Sequence, residues 1–199
     1  HLPEKPSKED LSINLFQLGH EHELIGDIFD IEHTPNRGDC LSIKGILRDL
    51  NVFYEVKSDF TTYEESIDIL DLDFKNKVPD ICPKISFLKI SIEQPPQNYH
   101  GSLNSYFADL DLKKNNFFTD ISNYISYEMG QPTHCYDAKK IKGGIVLDEI
   151  EKTEKFKTLF NEDIEISGKN AVFISNNEII NLAGVMGGYS TACDKNTNE

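Results

Sequence analysis

The sequence predicts an α+β fold, a layered β-sandwich core with a few helices packed at its periphery. Three observations point there. Apolar residues recur at helical spacing only in short stretches of the first two thirds. Short runs rich in Ile, Val and Phe, broken by Asn and Gly, dominate the last third. No apolar run approaches the ~20 residues that cross a bilayer, so these elements must bury their apolar faces against one another.

Residues 1–26 read as a polar leading segment, with Pro3 and Pro6 among Lys, Glu and Asp, and residues 27–199 as the domain proper. Asp27 to Glu32 partly alternates, which predicts a strand. It runs into TPNRGD at 34–39, a turn built from residues that favour turns. Ile43, Ile46, Leu47 and Leu50 fall at i, i+3, i+4 and i+7, predicting a helix with Asp39 as its cap. Gly45 either weakens that helix or lets something pack closely. Strands are expected at 67–74 and 85–92 from their apolar content and β-branching. Leu103, Tyr106, Phe107 and Leu110 mark a second helix. A third should begin near Asp120 or Ser122 and stop at Gly130, with Pro132 barring continuation. In the last third, 144–147 opens a strand and 155–159 pairs with 163–166 across Asn161 and Glu162. Residues 171–175 then pair with 178–182 through Asn176 and Asn177, which tolerate positive φ.

The four cysteines, Cys40, Cys82, Cys135 and Cys193, stand 42, 53 and 58 residues apart with no CxxC pair. That spacing argues against a zinc site and for small buried thiols in a reducing, cytosolic protein. The charge balance, 20 basic against 34 acidic residues and a net −14, argues against autonomous RNA binding, because phosphate affinity depends on Lys and Arg. It still allows a domain that receives a short single-stranded end delivered by basic parts of a larger protein.

Three segments could carry chemistry. AGVMGG at 183–188 follows a strand but lacks the Lys-Ser/Thr and the GxGxxG spacing of phosphate loops. Its glycines let a backbone approach something closely: either a bulged strand turns through the core, or the glycines floor a ligand pocket. GQPTHCYD at 130–137 is a helix stop followed by a stiff loop bearing His134. A lone histidine is more often a surface or hydrogen-bonded core residue than a base. A dyad with Cys135 is disfavoured because neighbours in an extended chain point to opposite sides. TPNRGDCLS at 34–42 sets Arg37 and Asp39 two apart, which suits a turn locked by an internal ion pair. The residues alone therefore give an α+β domain with one glycine-lined pocket candidate and no reaction.

The same three segments, in this order, resemble the signature of the bacterial phenylalanyl-tRNA synthetase β subunit: 34–42, then DISNY at 120–124 with EMGQPTHCYD at 128–137, then NLAGVMGG at 181–188. The resemblance runs from about residue 26 to the end. It implies that 27–199 is a B3/B4 editing domain, truncated at its C-terminal end, with the layered core shared with tRNA lysidine synthetases. It further implies hydrolysis of tyrosine wrongly esterified to the phenylalanine tRNA. A pocket shaped for a phenyl ring rejects an added hydroxyl only ~100-fold. A second site that hydrogen-bonds the hydroxyl reverses the preference, since phenylalanine leaves that buried partner unsatisfied.

By this resemblance His134 and Asn123 are polar groups at the ester and the attacking water, and Ser122 stands where the family commonly has Thr. Gly184 and Gly187 would form a side-chain-free wall, and Lys113 replaces an Arg, keeping its charge without the planar fork. The residue recognising the tyrosine hydroxyl is expected beyond Glu199, so weak editing or none is expected of the chain alone. No cofactor and no metal are expected in this domain; the parent, a cytoplasmic α2β2 ligase, would use ATP and magnesium elsewhere. The expected partners are the aminoacylated 3′ end of tRNA and the synthetase α subunit, with no membrane. The alternative is a B3/B4-like binding or scaffold module without hydrolytic activity.

Overall fold

The computed structural model describes residue 2, residues 5–56 and residues 64–199, and the chain divides into two units. The first comprises His1–Glu65, Asn98–Lys114 and Asp120–Thr133; the second comprises Ser66–Gln97, Asn115–Thr119 and His134–Glu199. Residues 1, 3 and 4 of the leading segment lie outside the described residues.

In the first unit, most of the leading segment is regular structure. The Ser7 hydroxyl accepts from the Asp10 amide and caps α1 (Lys8–Gln17), whose first-turn acids Glu9 and Asp10 suit a helix N-terminus. Leu15 is the residue this helix buries. A turn through Gly26, at φ +65, joins β1 (Glu21–Ile25) to β2 (Ile28–Glu32) as an antiparallel hairpin, and β2 is the strand expected at 27–32.

The expected cap of the next helix is corrected. Ser42, not Asp39, caps α2 (Ile43–Leu50), accepting from the Gly45 amide at 3.0 Å. A 3₁₀ turn, Gly38–Cys40, intervenes, and the Asp39 carboxylate pairs with Arg37 and Arg48 instead of capping the helix amides. Gly45 serves close approach: a Cβ there would lie 2.0 Å from the Asp39 carbonyl oxygen.

Of the expected stripe, Leu103, Tyr106 and Phe107 lie on α3 (Gly101–Asp109), and Leu110 is its C-cap. The third expected helix, α4 (Phe117–Met129), starts three residues before Asp120 because Asn116 already satisfies the Thr119 amide, at 3.1 Å. It stops at Gly130, φ +71, as expected. Gly130 lies close to the α2 cap, since a Cβ on it would meet Ser42 Oγ at 3.1 Å.

The second unit is built on strands β3 (Phe74–Asn76), β4 (Ile145–Glu151), β5 (Glu154–Lys157), β6 (Asp163–Ile166), β7 (Lys169–Ser175), β8 (Glu178–Leu182) and β9 (Met186–Gly187). Five form one sheet in the order β3-β4-β7-β8-β9, antiparallel except for the parallel β3–β4 pair. The expected hairpins form: β5 with β6, and β7 with β8 through Asn176 and Asn177 at φ 49 and 62. The β5–β6 hairpin is a second layer, its Phe156 and Ile166 packed on Val172, Ile179 and Leu182 of the sheet. Alternate residues Phe173 and Ile180 join Ile145 and Leu147 in a separate cluster, covered by Leu72, Val78, Ile85, Phe87 and Tyr136. Assignment of Val172 and Phe173 to different clusters is what a sheet covered on both faces requires.

The strands expected at 67–74 and 85–92 are corrected. Only Phe74–Asn76 joins the sheet, and 85–92 forms no strand. Ile85 and Phe87 do pack on the sheet, but over its face, where no ladder partner is in reach. Their apolar character reports that burial and not a place in the ladder. The fold is thus α+β, a multi-stranded sheet with helices. Among the described residues no helix is long and apolar enough to cross a membrane.

Candidate functional site

The glycine segment leaves β8 through a tight turn. Val185 N–H donates to the Leu182 carbonyl at 2.9 Å, and Gly184 between them adopts φ +74, a backbone that other residues enter only with strain. Open space lies where a Gly184 Cβ would be, so this glycine is required by the turn. The chain returns as β9, with Asn181 opposite Gly187 and Leu182 opposite Met186. Gly188 then presses on β8, its N–H donating to the Ile180 carbonyl at 2.8 Å and its absent Cβ only 2.7 Å from that oxygen.

Gly187 meets His134. A Cβ on Gly187 would lie 2.3 Å from His134 Cε1, 3.0 Å from Nε2 and 2.9 Å from Leu159 Cδ1. Any side chain at 187 would therefore displace the imidazole. Tyr136 meets the same ring, centroids 4.5 Å apart and interplanar angle 74°. His134 stays open to solvent as a residue, yet these neighbours strip water from part of its ring, and that desolvation holds its pKa below the ordinary 6.5. The imidazole is therefore neutral at physiological pH, with a lone pair able to accept a hydrogen bond or a proton. Burial likewise pushes the Tyr136 hydroxyl above its ordinary range, keeping it protonated. Cys135 donates to the Phe118 carbonyl at 3.2 Å, in keeping with the side-to-side alternation that disfavoured a dyad.

The remaining expected site residues belong to the first unit. Ser122 on α4 is buried, and its hydroxyl bonds the Thr133 carbonyl at 2.9 Å and the Thr133 hydroxyl at 2.7 Å. This fixes the residue that immediately precedes His134 in the chain. Asn123, next on α4, is half-buried, and Lys113 is exposed in the loop after α3. The structure thus brings His134 and Gly187 into contact within one unit and groups Ser122, Asn123 and Lys113 in the other. Sequence reasoning missed Leu159 and Tyr136. Tyr136 sits on the side of the loop shared with His134 by alternation, a signal that was available. No spacing announces that Leu159, just past β5, donates its N–H to the Gly187 carbonyl at 3.0 Å.

The expected Arg37–Asp39 pair exists, Nε to Oδ1 at 3.2 Å, within a larger network of Arg48, Asp49 and His20. Two arginines hold the Asp39 carboxyl well below the usual carboxylate range. Among the described residues, His20, Cys40 and Asp49 are the one grouping with metal-ligand chemistry. The Arg37 guanidinium already bonds both Cys40 Sγ, at 2.8 Å, and Asp49, supplying the positive charge a metal would bring. Burial pushes the Cys40 thiol up to about 11, so it is an unreactive structural thiol.

A sequence profile of the B3/4 domain matches residues 96–199, just over half of the chain. The chain belongs to the B3/4 domain family. It is similar to proteins named phenylalanine–tRNA ligase β subunit: 31% identical over 181 residues to that of Psychrobacter arcticus, 32% over 180 to that of Bartonella henselae and 31% over 188 to that of Aquifex aeolicus. These alignments cover 85–89% of this chain but only 22–23% of the relatives' length. A crystal structure of an N-terminal fragment of the phenylalanyl-tRNA synthetase β subunit from Pyrococcus horikoshii aligns over 98% of this chain and 61% of that one, at 16% identity and a TM-score of 0.44. The span matched as B3/4 contains α3, α4, the His134 loop and β4 to β9. Residues 1–95, with the TPNRGDCLS turn, lie outside it.

Proposed function

We propose that this B3/4 chain is the editing part of a phenylalanine–tRNA ligase β subunit and hydrolyses the ester of tyrosine wrongly joined to the phenylalanine tRNA. The observation that carries the reading is a neutral imidazole, His134, open to solvent and seated on the bare backbone of Gly187 in a B3/4 domain. The names of the relatives supply phenylalanine and tRNA, and the tyrosyl ester follows from the resemblance of the 120–137 and 181–188 segments to the editing module.

Ester hydrolysis at neutral pH needs a water held against the carbonyl carbon and an acceptor for its hydrogen bond. A histidine kept neutral by desolvation can be that acceptor. In this reading His134 holds the water, together with a hydroxyl of the terminal adenosine. Attack on the ester carbonyl releases free tyrosine, and the ribose oxygen recovers a proton. Gly187 keeps the imidazole seated, Gly184 turns the wall beside it, Ser122 fixes the stretch before His134, and Lys113 takes an RNA phosphate. The catalysis rests on positioning more than on a strong base. Attachment of phenylalanine with ATP and magnesium would belong to other parts of the parent ligase, working in the cytoplasm with its α subunit.

The test uses the whole ligase and tRNA mischarged with tyrosine. His134→Ala should slow hydrolysis by about 100-fold while phenylalanine attachment continues. Hydrolysis at the wild-type rate would remove His134 from the reaction, whereas a wild-type ligase that leaves the tyrosyl ester intact would make the chain a binding module.

A further inference from the structure

We propose that Tyr189 and Lys157, on the lip beside His134 and Gly187, form a stacking platform for the nucleobase of the RNA end that carries the ester; this rests on the reading of the site as an aminoacyl-ester hydrolase.

The platform follows from strand geometry. An antiparallel bridge between Thr158 and Gly188 draws the end of β5 alongside the segment that leaves β9. The residues flanking that bridge then face each other: Leu159 bonds Gly187, and the Lys157 ammonium stands 4.9 Å from the centre of the Tyr189 ring. The same short stretch is unusually apolar for a surface. Tyr189 is 49% exposed, Phe160 73% and Val185 78%, each within two residues of the Leu159–Gly187 hydrogen bond. Single exposed apolar residues are ordinary, but several converging on one candidate site mark a binding surface.

Charge selects the ligand. Lys77, Lys140, Lys152 and Lys169 of the same unit each pair with a carboxylate; among the described residues Lys157 is one of those that do not, and it is distinguished by resting on an exposed ring. Lys157 stands opposite Asp163 in the β5–β6 ladder, yet makes no ion pair with it among the described residues and turns to Tyr189. A cation left unneutralised in a chain of net charge −14, resting on an exposed aromatic ring, suits a flat base joined to an anionic backbone. Stacking needs no sequence-reading hydrogen bonds, which fits a site that meets a single terminal nucleotide.

The experiment is calorimetric titration of the whole ligase, its synthetic site saturated by phenylalaninyl adenylate. The titrant is 3′-(tyrosylamino)-3′-deoxyadenosine, whose amide resists hydrolysis, against the same compound without its base and against tyrosinamide. The adenosine compound should bind about tenfold more tightly than the baseless one. Tyr189→Ala should erase that difference and Tyr189→Phe should keep it. Lys157→Gln should weaken binding of a cytidylyl-(3′→5′)-adenosine version, which adds a phosphate, more than binding of the nucleoside. Base-independent binding, no binding, or a Tyr189→Ala chain that still distinguishes the base overturns the platform. A ligase that binds through Tyr189 but leaves tyrosyl-tRNA intact defeats the hydrolase reading instead, so the two failures are separable.

Discussion

At the scale of the residue, the contact between His134 and Gly187 has a consequence for protonation. The unfolded chain takes up a proton on this imidazole near pH 6.5, whereas the folded chain, with its pKa held lower by desolvation, is still neutral there. The unfolded state thus binds more protons in that window. The stability contributed by His134 is present above pH 6.5 and is lost as pH falls through the folded value. His33, lowered mainly by burial and then by His20, acts in the same direction, so the test must see one ring at a time. NMR titration of the His134 Cε1 proton should give a midpoint below 6.5. Gly187→Ala, which evicts the ring, should move it back toward 6.5, and an unmoved midpoint would detach the desolvation from Gly187. Much of this was legible in the sequence. The fixed backbone around GQPTHCYD singled out His134, and three glycines in five positions predicted a close approach. The resemblance set the glycines beside His134 across a cleft; that Gly187 touches the ring itself could not be read, because it depends on how β9 returns along β8.

At the scale of the element, α2 separates two roles that the sequence ran together. Ser42 caps and Gly45 makes room, while Asp39 belongs to the arginine network. Ser42→Ala should cost about 1 kcal/mol. Gly45→Ala should cost more, about 2–3 kcal/mol, although alanine is the better helix former by ~1 kcal/mol. The reason is that its methyl would meet a backbone carbonyl that has nowhere to go. Urea midpoints of the two variants check the order, and a milder Gly45→Ala would mean that α2 can slide away from the turn. Hairpins were the most legible elements, since Asn176 and Asn177 encode their own turn. The segment at 85–92 was the least legible. Ile85 and Phe87 are as apolar as strand residues because they cover the sheet, and burial looks alike in sequence whether or not a ladder partner exists.

At the scale of the whole molecule, the family was legible because its marks are long and ordered, while the division into two units was not. The chain returns to the first unit at Asn98–Lys114 and again at Asp120–Thr133, so no single stretch of composition marks a boundary. The sheet of the second unit carries a different consequence. Its hairpins, β7–β8 and β8–β9, join neighbours in sequence, but the parallel pair sets Phe74 against Ile145, about 70 residues away. Closing so long a loop is entropically unfavourable until other contacts exist, so β3 docks after the rate-limiting barrier. Stopped-flow measurements on Phe74→Ala should therefore give faster unfolding at an unchanged refolding rate; slower refolding would make β3 part of the nucleus. Until β3 arrives, the flank of β4 is an unpaired ribbon of Ile145 and Leu147, and a nascent molecule is most open to mispairing with its neighbours along that ribbon.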